Sequence, residues 1–253
     1  MAKTPKSAKS DRQAVIDKMR KQQKSAERKR GYAIVGVCVL VAVLMVGAAA
    51  YKPITDWWEG RGIDQLALSD IGASAADTCQ DITTEKADGT QNHVPTGTPV
   101  EYTTAPPAFG PHWNEAGVAP APFERKFYTD DDRPELESLV HNLEHGYTIL
   151  WYDETIADDD DAMTELRGMA EKFSDSEDQR DKFIAVPWTS DDGDAFPEGQ
   201  HIAFTHWSAG GEGETDPKKQ VGAFQYCSEN SGEALADFME EYPYFDSPEP
   251  NAM

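Results

Sequence analysis

The sequence predicts a mixed α/β (α+β) outer domain, a single mixed sheet flanked by helices, preceded by one transmembrane helix. Two observations predict it. Helix-like and strand-like patterns alternate over residues 132–242, and Tyr32 to Tyr51 runs without a charge. That uncharged run is twenty residues long. At about 1.5 Å rise per residue it spans a hydrocarbon core of roughly 30 Å.

The elements follow in order. Residues 1–31 form a basic leader, with eleven Lys and Arg against three acids in the first thirty positions. Arg28, Lys29 and Arg30 abut the apolar run, which places the N-terminus in the cytoplasm. Trp57 and Trp58 follow the run, where indole rings favour the headgroup layer. The alternative is a cleaved signal peptide ending at Ala48-Ala49-Ala50, and it delivers the same domain to the same side. Residues 52–78 read as a juxtamembrane spacer, 79–245 as the globular domain, and 246–253 as a tail.

Within the domain, Asp88-Gly89 separates two polar, β-tending runs and is expected to turn a hairpin. Pro95 to Pro122 is dense in Pro and Gly and should be ordered loop. Asp132 is expected to cap a helix, with Pro134 in its first turn and Gly146 just past its end. Tyr147–Tyr152 reads as a buried strand, and Ala162–Phe173 has helical spacing at Leu166, Met169, Ala170 and Phe173. Phe183–Trp188, His201–Trp207 and Ala223–Cys227 read as strands and Glu233–Tyr242 as a closing helix. The strand–helix–strand order implies a right-handed parallel crossover.

Composition bounds the function. The net charge is −23, and the leader carries about +8, so the remainder carries about −31. Such a domain repels nucleic acid and anionic headgroups. Asp130–Asp132 and Asp158–Asp161 are read as solvated loops and helix starts, since acids favour a helix N-terminus. Of three cysteines, Cys38 falls in the apolar run, while Cys79 and Cys227 both lie outside, where conditions oxidise thiols. They are expected to form a disulfide, with metal ligation as the alternative.

The chemistry concentrates in His141-Asn142-Leu143-Glu144-His145-Gly146. At 100° per residue, Leu136, Leu139, Val140 and Leu143 make a packing stripe, while His141 and His145 lie about 40° apart on the opposite half. Two imidazoles four residues apart on a helix can share a metal ion; on a strand they would stand about 13 Å apart and could not. His112, in the stiff Gly110-Pro111-His112-Trp113 loop, is the expected third ligand, and Glu144 an orienting group or a ligand. His93, His201 and His206 are held in reserve, the last two as strand-end hydrogen-bonders. The competing expectation is that these histidines bond backbone carbonyls and fasten the Pro-rich loop to the helix. His-x-x-Glu-His also matches the inverted zincin motif, which makes Glu144 a weak catalytic candidate as general base. The early end at Gly146, followed directly by a strand, counts against it.

Pro106-Pro107, Gly110-Pro111-His112 and then Val140 to Gly146 ahead of a strand together resemble an uncharacterised bacterial family, domain of unknown function 3105. The resemblance covers roughly residues 75–245 and attaches to His112, His141, Glu144, His145 and Gly146. It implies a basic leader, one membrane segment and an outer domain, in a family common among actinobacteria, and it implies no activity. The expected function is therefore a non-enzymatic, membrane-anchored accessory subunit of a membrane complex, with a respiratory oxidase as the host suggested by layout. An independent protein binding zinc or copper is the second expectation, and a metal-dependent hydrolase the third.

Overall fold

The computed structural model describes residues 18–21, 23–25, 28–29, 32, 35–49, 51, 62–87 and 91–252. The chain divides into two units, Met1–Trp57 and Trp58–Met253. In the first, residues 35–49 form a continuous helix of Val, Leu, Ala, Gly, Met and Cys. Among the described residues, no helix is long and apolar enough to cross a membrane. Of the expected span, residues 33, 34 and 50 lie outside the described residues, as do Trp57 and Trp58.

The second unit is a mixed α+β fold built on a five-stranded mixed sheet flanked by helices. Its helices are α1 (Ala75–Thr78), α2 (Leu136–Glu144), α3 (Glu154–Ala157), α4 (Asp160–Glu171) and α5 (Gly232–Glu241). Its strands are β1 (Thr83–Lys86), β2 (His93–Val94), β3 (His112–Trp113), β4 (Thr148–Tyr152), β5 (Phe183–Pro187), β6 (Ile202–Ser208) and β7 (Val221–Cys227). The sheet order is β1-β7-β6-β4-β5, and a separate pair joins β2 to β3. β4 and β5 are parallel across the α3–α4 crossover, as the pattern predicts, and the other sheet pairs are antiparallel.

Both faces of the sheet are buried, so β4 alternates apolar against apolar. Leu150 and Tyr152 join the layer under α4 and α5 with Leu166, Met169, Leu235 and Phe238. Ile149 and Trp151 face the other way, onto Leu139, Val140 and Leu143 of α2. The Asp158–Asp161 run starts α4, where the Asp159 carboxylate accepts from the Asp161 and Ala162 amides at 3.0 Å each. The Cys79–Cys227 disulfide forms as expected, joining the segment ahead of β1 to the end of β7.

Two local expectations change. The runs flanking residues 88–90 do not pair with each other; β1 takes the open edge of β7, and β2 pairs with β3. The Asp88-Gly89 turn itself lies outside the described residues. Asp132 does not cap α2, which begins at Leu136 after Glu135. Pro134 disfavours helical backbone at Arg133, and the Asp132 carboxylate instead accepts from the Thr129 amide at 2.9 Å, closing a separate turn.

Gly146 ends α2 with φ +91°, and a Cβ there would sit 2.1 Å from the Tyr244 carbonyl oxygen. Its missing side chain is what lets the C-terminal segment cross the helix end. Gly146→Ala is expected to cost about 3 kcal/mol, from the left-handed backbone and the clash together. Urea unfolding checks this: the midpoint falls with the slope unchanged, and an unaltered midpoint refutes it.

Candidate metal centre

The site forms where α2 meets the β2–β3 pair. In that pair His93 stands opposite His112, and His112 is fully buried. From α2, one turn places His141, Glu144 and His145 toward the same region, while Leu139, Val140 and Leu143 point into the sheet. Donor atoms of His93, His112, His141 and Glu144 all lie within 4.8 Å of one another. The four residues could hold a metal ion.

The Pro-rich loop is fastened to α2 by other residues. Asn142 bonds the Ala121 amide and carbonyl at 2.8 and 2.9 Å, and Ser138 Oγ donates to the Val118 carbonyl at 2.8 Å. Glu137 accepts from the Val100 amide at 2.8 Å. The fastening expected of the histidines is thus carried mainly by the neighbouring polar side chains.

His112 is the most constrained ring. Its Nδ1 lies 2.9 Å from the Gly110 carbonyl, which can only accept, so Nδ1 carries the proton. In the neutral ring, Nε2 is then an acceptor, and it faces Glu144 Oε2 at 2.9 Å. Two acceptors at that distance require a proton or a metal ion between them. Both side chains are fully buried. The other carboxylate oxygen, Oε1, accepts from Gln91 Nε2 at 2.9 Å. His93 Nε2 stands 3.6 Å from Glu144 Oε2 and its side chain is 42% exposed, so the cluster opens to solvent at that ring.

His141 packs 4.9 Å from His112 and 5.5 Å from His93, centroid to centroid, and its buried Nδ1 has no hydrogen-bond partner. Burial, reinforced by the neighbouring His145 and His112 rings, lowers it to about 4, so its imidazole is neutral at pH 7. Burial pushes the Glu144 carboxyl up, but the His112 and Gln91 hydrogen bonds and the adjacent rings outweigh it and hold the group below its ordinary range. Neutral imidazole with ionised carboxylate is the protonation pattern that metal ligation needs.

The sequence-predicted residues divide. His112, His141 and Glu144 come together, and the fourth member is His93, held in reserve. His145 adjoins His141 at 4.4 Å between ring centroids but belongs to a neighbouring group with Glu144 and Glu249. Burial lowers His145 to about 4 as well. His201 and His206 lie elsewhere: His201 Nδ1 bonds Asp153 at 2.8 Å, and His206 bonds the Tyr147 and Asp246 carbonyls at 3.2 and 2.8 Å. Gln91 and Glu249 carried no signal in the sequence, since neither sits in a patterned segment.

The model of the family described as protein of unknown function (DUF3105) matches residues 93–253. The chain belongs to this family. No curated protein and no solved structure matches it. The matched span of this DUF3105 protein begins at His93, so it contains every residue of the cluster together with His145 and Glu249.

Beneath the helix end, buried Lys182 braces the site of this DUF3105 protein. Its Nζ donates to the carbonyls of His145, Pro250 and Ala252 at 2.8, 2.9 and 2.7 Å. Burial lowers this ammonium from 10.5 to about 8. Between those pH values the unfolded chain holds a proton that the folded chain releases, so this group's contribution to stability is lowest below pH 8 and rises toward pH 10.5. Unfolding free energies of wild type and Lys182→Met are therefore expected to diverge in favour of wild type across that window. A pH-independent difference refutes it.

Proposed function

We propose that this protein is a membrane-tethered, extracytoplasmic zinc-binding module, non-enzymatic, serving as an accessory subunit of a membrane complex. One observation carries the metal reading: donor atoms of His93, His112, His141 and Glu144 all lie within 4.8 Å of one another, and all of these residues but His93 are buried. The unpartnered His141 Nδ1 adds to it, because an unsatisfied buried polar atom costs about 1–3 kcal/mol. Three imidazoles and a carboxylate suit tetrahedral zinc. The set offers no thiolate or thioether, the ligands that favour copper(I).

Four protein donors close a zinc site and leave no position for substrate water, which favours a structural or metal-handling role over hydrolysis. Glu144 also faces its fellow ligands His112 and His93, whereas a general base would face a metal-bound water. The exposed His93 edge gives the ion a path in. The membrane tether rests on the apolar run of residues 32–51 and its basic flank, and the partner reading on that layout with the acidic outer domain.

Elemental analysis of the full-length protein as isolated, without added metal, tests the ion: stoichiometric zinc is expected. Copper in its place overturns the choice of ion, and no bound metal removes the reading. Co-purification from native membranes in mild detergent tests the partner, and recovery as a lone monomer counts against an accessory subunit.

A further inference from the structure

Beside the four-residue cluster, donor atoms of Glu144, His145 and Glu249 also lie within 4.8 Å of one another. We propose that these three residues hold a second divalent cation, bridged to the first through the Glu144 carboxylate. The inference rests on the zinc reading of the first centre, because Glu144 is shared.

His145 supplies the independent observation. Its side chain is only 6% exposed, its buried Nδ1 has no hydrogen-bond partner, and its Nε2 stands 3.7 Å from Glu249 Oε2, beyond hydrogen-bond reach. A buried ring with no such use for these nitrogens, beside two carboxylates, is placed to act as a ligand. Glu249 is also held in place by its own backbone, whose amide donates to the Glu144 carbonyl at 2.9 Å. That bond keeps the half-exposed Glu249 carboxylate at the C-terminal, negative end of α2, within donor reach of Glu144 and His145.

Glu144 has the capacity to bridge. Its Oε2 faces His112 and His93, while Oε1 accepts one bond from Gln91 and keeps lone-pair capacity for a second partner. Paired metal ions bridged in this way sit about 3.5–4 Å apart. One imidazole and two carboxylates form an oxygen-rich set, and three protein ligands leave a position for water, so the second ion exchanges more readily than the first. Bound there, it ties the C-terminal segment to the end of α2.

Zinc titration of the full-length, chelator-stripped protein tests this. Wild type is expected to take two zinc ions per chain in distinct steps. Glu249→Gln, which keeps the backbone bond to Glu144, is expected to take one and to retain the tighter step; His145→Gln should do the same. Glu198→Gln, an exposed change away from both groups, should still take two. One zinc in wild type, or any count other than one in Glu249→Gln, overturns the second cation. No zinc at all in wild type overturns the first centre and this inference together, so the two failures are told apart.

Discussion

His112→Ala is expected to abolish the tighter of the zinc-binding steps and to destabilise the globular domain by about 3–5 kcal/mol. The side chain removed is fully buried and faces the equally buried Glu144 carboxylate at 2.9 Å. Without it, that carboxylate keeps its Gln91 hydrogen bond and loses its contact with the His112 ring. Removing the ring costs more than the contact itself is worth, because the carboxylate left behind stays buried and short of a hydrogen-bond partner. The ring also packs at 6.0 Å against Trp207, fully buried in the α2-side core, so truncation leaves a void there.

Glu144→Gln separates ligation from folding. The amide retains partners at His112 and Gln91 and leaves no buried charge, so the domain should lose little stability while losing the ion. Chemical unfolding and elemental analysis of the two variants give the comparison. A zinc count and affinity equal to those of wild type in His112→Ala would sink the assignment of His112 as a ligand.

The second large effect is expected from Cys79→Ser/Cys227→Ser. The bridge joins residues 148 positions apart. The loop-closure relation gives about 5 kcal/mol for removing it, or roughly 10–20 °C in Tm for a domain of this size. Cys227 is fully buried in the core under α4 and α5, whereas the histidines lie with α2 on the opposite face of the sheet. The double variant should therefore keep its zinc below its lowered Tm. A Tm within about 3 °C of wild type would contradict the loop-closure account.

The helix–strand order of the second half was legible because each signal is local. Leu166, Met169 and Ala170 fall on one face of α4 through a 3.6-residue period, and Asp159 at its start leaves a composition mark. The start of α2 was not legible to the residue, because a Pro after an acidic run reads equally as a first helical turn or as the turn before it. The Asp132 side chain decided the matter by bonding Thr129. The Asp88-Gly89 signal misled about pairing for a related reason: strands seek the best open edge, and for β1 that edge belonged to β7.

Half of the candidate metal cluster was legible for the same local reason. His141 and Glu144 occupy one helical turn, and a stripe of Leu and Val tells which way that turn faces. His93 was not distinguishable from the other reserve histidines, because its place depends on β2 lying parallel to β3. Nothing in the sequence marks that pairing of two-residue strands.

From the sequence by itself came the placing of His141 and Glu144 on one turn of α2, the disulfide and the mixed α+β class, since helical periodicity, cysteine count and element order all act over short range or by elimination; the expected sharing of one ion by His141 and His145 did not follow, because the two rings fall in different groups. Only the tertiary structure decided that His93 joins the cluster, that His145 turns toward Glu249, and that the C-terminal segment closes over the end of α2. Those outcomes come from hydrogen bonds between residues far apart in the chain. Glu249 meets Glu144 through one backbone amide, and Lys182 meets Pro250 and Ala252 through buried carbonyls. Such partners are chosen by the free energy of satisfying buried polar groups after collapse, which no local pattern encodes.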